Sequence, residues 1–168
     1  MARYNEKVKL KRSNLEVTRL SLGTAPLGGL FASVSDKDGD ELLNTALDVG
    51  INYFDTAPQY GHGVAEIRLG KALRGAKVPF VVETKVGRVL RHDPNAEIFP
   101  WFPDAPRDLV PVFDYSPDGI RRAFDDAVGV VSVAWEDGAV LTGGGSVLAA
   151  LSRDLRTYAE TVGGREQM

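Results

Sequence analysis

Asp55, Tyr60 and Lys85 are the residues of this chain whose types and spacing best suit proton transfer. Asp55 closes the apolar run Asn52-Tyr53-Phe54, and Lys85 closes Phe80-Val81-Val82-Glu83-Thr84. If both runs are strands of one parallel barrel, both residues lie on the face where active sites form. Tyr60 follows Asp55 by five positions, on the loop above the same strand. A phenol with an ordinary pKa near ~10 is a poor acid or base at neutral pH. A lysine cation beside it favours the phenolate, and Asp55 would hold that cation in place. Such a trio suits a proton donor and acceptor partnered with hydride transfer. Plain roles suit the same residue types: Asp55 as a helix cap, Tyr60 as a loop aromatic, Lys85 as a solvated strand end.

The elements that would position this trio follow from local chemistry. Lys7 to Leu10 and Val17 to Leu22 alternate in polarity around Ser13-Asn14, which predicts a β-hairpin. Ser35 is a candidate N-cap, Asp36 and Asp38 favour the positive helix end, and Leu42, Leu43, Ala46 and Leu47 make an apolar stripe. Gly50 is a suitable stop. A short strand from Ile51 to Phe54, a helix from Val64 to Leu73 ended by Gly75, and the strand from Phe80 follow. Strand and helix alternating at this spacing imply a parallel sheet, either a barrel or an open doubly wound sheet. The turn Gly23 to Gly29 does not match the dinucleotide fingerprint Gly-x-Gly-x-x-Gly.

Arg88 to Tyr115 breaks the pattern and reads as a long loop. It holds Pro94, Pro100, Pro103, Pro106 and Pro111, interleaved with Phe99, Trp101, Phe102, Phe113 and Tyr115. A loop of that length is commonly functional, and its aromatics suit a lid or pocket wall over the strand ends. Ser116 as N-cap and Pro117 at the first position open a helix to Val128, with Ile120, Ala123, Phe124 and Ala127 on one face. Val130 to Trp135 suits a strand, Gly143-Gly144-Gly145-Ser146 a linker, and Val147 to Thr161 a last helix before a polar tail.

Leu22-Gly23-Thr24-Ala25-Pro26-Leu27-Gly28-Gly29, Gly50-Ile51-Asn52-Tyr53-Phe54-Asp55-Thr56-Ala57-Pro58-Gln59-Tyr60-Gly61, Arg68-Leu69-Gly70-Lys71-Ala72-Leu73 and Glu83-Thr84-Lys85-Val86-Gly87-Arg88 occur in this order. Together they resemble the motifs of the aldo-keto reductase family. Val112-Phe113-Asp114-Tyr115-Ser116 and the Pro/aromatic segment before it resemble the family's aldose 1-dehydrogenase and pyridoxal 4-dehydrogenase branch. The resemblance covers residues 7 to 127. It implies an α/β fold of the (β/α)8 type, incomplete here, since a full barrel takes about 250 residues. The N-terminal hairpin would plug the barrel bottom. Tyr60 would be the general acid/base, Lys85 would tune it, and Asp55 would pair with Lys85. Thr24, Ala25 and Asp55 would border the nicotinamide and ribose of NADP or NAD. His62, on the loop after Asp55, is a candidate for lining the pocket of a small carbonyl or sugar substrate or else an ordinary loop residue, and Trp101 and Phe102 suit that pocket by their place in the Pro/aromatic segment. In that branch a hydride leaves the anomeric carbon of a cyclic hemiacetal and a lactone results.

Two departures from the family accompany these matches. Its fourth catalytic residue is a histidine ending the fourth strand. A gap-free count from Phe124 reaches Thr142, and no histidine follows His92. Residues 128–168 do not resemble the family, so the chain divides into 1–127 and a separate tail. A truncated or frame-disrupted remnant, or a half-barrel needing a partner chain, is the rival to a working enzyme. Open barrel edges would then favour self-association.

Composition limits the remaining options. Of 168 residues, 43% are hydrophobic and 26% charged, and the net charge of −3 offers no footprint for nucleic acid or an anionic membrane. Without cysteine there is no disulfide or thiolate chemistry, and no residue set suggests a metal site. The N-terminus is polar, and Val128 to Trp135, the longest apolar stretch, is far too short to span a bilayer. A cytoplasmic location is the expectation.

Overall fold

The computed structural model describes residues 3–11, 13–96, 100–132 and 139–144, with side chains through residue 126. Phe99, Trp135, Gly145-Ser146, the helix expected over Val147 to Thr161 and the polar tail lie outside the described residues.

A hairpin comes first: β1 (Lys7–Lys9) pairs antiparallel with β2 (Glu16–Thr18). Ser13 Oγ shapes its turn by donating to Leu10 O at 3.3 Å and accepting from Leu15 N at 3.2 Å. Two βα steps and a third strand follow: β3 (Leu22–Gly23), α1 (Asp36–Asp48), β4 (Tyr53–Asp55), α2 (Val64–Leu73) and β5 (Val81–Val86). As expected, Ser35 caps α1, its side chain accepting from Asp38 N. Leu43 and Ala46 are buried, while Leu42 turns outward, 44% exposed. The sheet order is β3-β4-β5-β8, all parallel, where β8 is Ala139–Gly144.

Strand alternation sorts the side chains onto two faces. Phe54 and Val82 stand in register and bury themselves in a core with Leu27, Leu43, Ala65, Leu69 and Leu73. Each such apolar side chain contributes roughly 1.5–3 kcal/mol by leaving water. Tyr53 and Asp55 of β4, and Glu83 and Lys85 of β5, take the other face. The hydrophobic side of the sheet thus holds the helices, and the polar residues are left to the opposite side.

Asn52 fastens the hairpin beneath the sheet. It is buried, its Oδ1 accepts from Thr18 N at 2.7 Å, and its Nδ2 donates to Glu16 O at 3.0 Å.

Three expectations are corrected. Arg88 to Tyr115 is not one loop, because β6 (Arg88–His92) and β7 (Leu109–Phe113) form a second antiparallel hairpin. The alternation of Val110 and Val112 prevails over Pro111, which a two-stranded ribbon tolerates because one edge needs no N–H. Val130 to Ser132 continue α3 (Pro117–Ser132) rather than opening a strand. Gly143 and Gly144 are paired to Lys85 and Val86 within β8, not in a linker. Helix α3 packs on α2, β5 and β6.

Candidate active site

The C-terminal ends of β4 and β5 bring three polar side chains together. Lys85 Nζ donates to Asp55 Oδ2 in a short ion pair, and to Thr56 O at 2.9 Å. Tyr60 OH donates to Asp55 Oδ1 at 3.4 Å, and the ammonium stands 4.9 Å from the centre of the Tyr60 ring. The Lys85 and Asp55 side chains are 33% and 28% exposed, so water screens the pair less than it would on an open surface. Burial works against the charge on Lys85. Hydrogen bonds and charge from Asp55 and Tyr60 outweigh it, and the ammonium titrates above the ordinary lysine range.

Tyr60 is positioned by a close backbone approach. A Cβ on Gly28 would lie 2.5 Å from the carbonyl carbon of Tyr60, so only glycine lets the turn after β3 lie against the loop after β4. Arg68 of α2 fastens that turn from the other side. It donates to Leu27 O, to Val34 O at 2.8 Å and to Asp36 Oδ1.

Beneath the trio, Tyr53 OH donates to Glu83 Oε2 in another short bond. Burial, the Glu83 bond and nearby carboxylate charge push the Tyr53 phenol up to about 12. It remains a donor and holds Glu83, whose strand position is opposite Asp55.

Thr24 is buried at the end of β3, with its backbone N and its Oγ1 each 2.9 Å from Asp55 O. Half-buried Ala25 follows it. Thr56 Oγ1 is buried without a hydrogen-bond partner among the described residues. These small polar groups beside Lys85 fit the nicotinamide end of a dinucleotide. A cavity of about 270 Å³ opens at the same place, lined by Gln59, Tyr60, Lys85, Arg88, Phe113 and Tyr115, among others.

His62, Trp101 and Phe102 lie at this end of the sheet but not on that cavity. His62 is buried, with Nδ1 2.7 Å from Leu109 O and its ring 6.4 Å from that of Phe102. Trp101 is exposed and pairs with Phe31 of the turn after β3, to whose N–H it offers its carbonyl at 2.7 Å. The aromatic walls come instead from Phe113 and Tyr115. Arg88, Gln59 and Glu83 were not singled out from sequence. Glu83 carried a signal, since it shares the strand face of Lys85 two positions on. Gln59 carried none beyond its place beside Tyr60. His92 is exposed, 3.3 Å from Asp108.

A second cavity, of about 420 Å³, lies between α2, α3 and the β6–β7 hairpin. Glu66 lines it, buried, with Thr84 Oγ1 donating to its Oε1 at 3.0 Å. Burial above all pushes the Glu66 carboxyl up to about 7, with Asp126 adding to the effect and Thr84 and Lys85 opposing it.

The sequence pattern of the aldo/keto reductase family matches residues 19–129, and the chain belongs to that family. It is 45% identical over 134 residues to the pyridoxal 4-dehydrogenase of Microbacterium luteolum, covering 73% of this chain and 39% of that protein. It is 41% identical over 114 residues to the D-threo-aldose 1-dehydrogenase of a Pseudomonas species, covering 67% and 32%. A glycerol dehydrogenase from Gluconobacter oxydans superimposes with a TM-score of 0.59 at 26% identity, over 76% of this chain and 36% of that one. The architecture is therefore part of a (β/α)8 barrel with an N-terminal hairpin, and the chain spans well under half the length of these relatives. The TCP-1/cpn60 chaperonin family's pattern matches residues 114–168. Over 51 residues the chain is 49% identical to the thermosome subunit alpha of Halobacterium salinarum, covering 9% of that protein. No helix of the described residues is long and apolar enough to cross a membrane.

Proposed function

We propose that Asp55, Tyr60 and Lys85 carry the proton-transfer half of an NAD(P)-dependent oxidoreduction on an aldose-like hemiacetal or other small carbonyl compound. The observation that carries this reading is Asp55 touching both partners while the Lys85 ammonium stands over the Tyr60 ring. The nicotinamide, held by Thr24, Ala25 and Asp55, supplies the hydride chemistry when bound. Tyr60 takes the proton of the hemiacetal hydroxyl in oxidation, or gives one to the carbonyl oxygen in reduction. Lys85 stabilises the negative charge that develops on the phenol oxygen, and Asp55 fixes the ammonium so that this stabilisation costs no reorganisation. Of His62, Trp101 and Phe102, only exposed Trp101 is kept as an outer contact for a substrate larger than the cavity beside Tyr60, while buried His62 and Phe102 support the structure behind it.

A second reading, a barrel portion without turnover, is favoured by one observation: β8 sets Gly143 opposite Lys85, and no histidine follows His92 in the sequence. We also infer that 1–127 and 128–168 are distinct segments, since the chaperonin pattern, which begins at residue 114 and overlaps the end of the first segment, runs through the whole tail, where the aldo/keto reductase pattern stops at residue 129. Self-association through strand edges and a cytoplasmic site of action belong to this proposal. The test is an NADPH and NADH fluorescence titration of the purified chain, light scattering for its size, and L-fucose oxidation by wild type and Tyr60→Phe. Cofactor binding with Tyr60-dependent turnover supports the enzyme. Binding and turnover that Tyr60→Phe leaves intact would refute the assigned trio.

A further inference from the structure

The cavity beside Tyr60 contains a cation that the proton-transfer trio does not use. Arg88 opens β6, is half-buried, and lines this cavity. Its cross-strand partner is Phe113, and its guanidinium carbon stands 4.2 Å from the centre of that ring. Nη1 donates to Gln59 Oε1, a neutral acceptor. Among the described residues no carboxylate forms an ion pair with Arg88, although Lys85 has Asp55, Arg68 has Asp36 and Arg91 has Asp114. The nearby Asp114 carboxylate is engaged by Arg91 at 3.1 Å and by the N–H of Ser116 at 3.2 Å. The cavity lining therefore holds two cations, of which Lys85 is paired with Asp55 and Arg88, which also borders the second cavity with Glu66, Asp125 and Asp126, forms no ion pair among the described residues. Its unpaired charge is a planar fork of donors suited to an oxyanion.

The wall next to that charge is aromatic. The Phe113 and Tyr115 rings lie 6.0 Å apart and within 16° of parallel, and each residue is 62% exposed. Gly87 makes room for this arrangement. A Cβ there would come 2.4 Å from Tyr115 Cε1, and its φ of +97° suits glycine alone. Nearly parallel exposed rings offer a face for offset stacking on another flat ring. At about 270 Å³ the cavity falls just under the roughly 300–1,000 Å³ of small-molecule pockets, which suits one ring.

We propose that Arg88, with Phe113 and Tyr115, selects substrates built on a flat ring that carries an oxyanion, a carboxylate or an ionised phenol. This deepens the proposed function and rests on reading the cavity as the substrate end of that site. The ring stacks on Phe113 and Tyr115, the oxyanion meets the Arg88 fork, and the reacting carbon faces Tyr60.

Binding alone tests this, without turnover or cofactor. The full chain is titrated with benzoate and with benzamide, its uncharged isostere, following ligand signals by saturation-transfer NMR and affinity by calorimetry. Benzoate binds at least tenfold more tightly than benzamide, Arg88→Gln abolishes the difference, and Arg88→Lys retains part of it. The readout needs neither cofactor nor turnover, so loss of the proton-transfer reading would not be mistaken for loss of this one. Equal binding of the two ligands by wild type overturns the proposal, as does discrimination that survives in Arg88→Gln. Inorganic phosphate is the third probe. If it binds as tightly as benzoate, Arg88 reads a bare anion such as a cofactor phosphate, and the ring selectivity is refuted. Circular dichroism checks each variant's fold, and if Arg88→Gln does not fold, the wild-type and Arg88→Lys comparisons decide.

Discussion

Replacing Glu66 with Gln isolates the cost of burying an ionised carboxylate behind β5. The Glu66 carboxyl is raised from 4.5 to about 7, first by burial, then by Asp126. Charged and titratable groups face it from every side of its cavity: His62 from the β4–α2 loop, Arg88 from β6, Asp125 and Asp126 from α3, and Lys85 through β5. In the folded chain the proton is retained to a higher pH than in the unfolded one. The folded state is therefore favoured in full below pH 4.5, and that advantage is lost as pH rises through 7. At about 1.4 kcal/mol per pH unit, the separation corresponds to about 3 kcal/mol, most of it lost between pH 5 and pH 8. Glu66→Gln keeps an acceptor for Thr84 and has no proton to lose. Urea unfolding at pH 5, 6, 7 and 8 should show wild type losing about 2–3 kcal/mol more than the variant across that range. Because the difference is taken between two chains, titrating groups not coupled to Glu66 cancel. Parallel pH profiles for the two proteins would refute the argument that Glu66 is desolvated.

Three further substitutions probe the scaffold. Leu69→Ala, at a fully buried position of α2, should cost about 2–5 kcal/mol by urea unfolding. Asn52→Ala leaves Thr18 N and Glu16 O without their partners, each worth about 1–3 kcal/mol when buried, so amide exchange at Thr18 should quicken while α2 stays protected. Gly28→Ala would set a methyl 2.5 Å from the Tyr60 backbone. It should lower stability by about 1–3 kcal/mol and shift the Tyr60 and Gly61 amide resonances more than those of the N-terminal hairpin.

What the sequence disclosed about this chain, and what it withheld, divides along a physical line. The α1 cap, the bounds of α2 and the polar ends of β4 and β5 are local signals, decided by a few neighbouring residues and the period of burial. From them alone Asp55, Tyr60 and Lys85 could be expected at one end of one sheet. The cavity wall is a different matter. Arg88 and Phe113 meet only because β6 and β7 pair, and that pairing is hidden by Pro111 and by the prolines of the connecting segment. Trp101 and Phe102 were better candidates by composition. Yet Trp101 packs against the turn after β3, and Phe102 is buried beside His62. Glu66 was equally unreadable, because a glutamate within a helix normally marks the solvated face, and only the register of α2 against Thr84 turns it inward. The tail was misjudged for a related reason: triple glycine suggests a linker, but neither Gly143 nor Gly144 needs a side chain to complete a parallel ladder with β5. Polar groups at strand ends can be read locally, whereas the wall of this cavity is assembled by long-range pairing, so its shape depends on the β6–β7 hairpin more than on any motif.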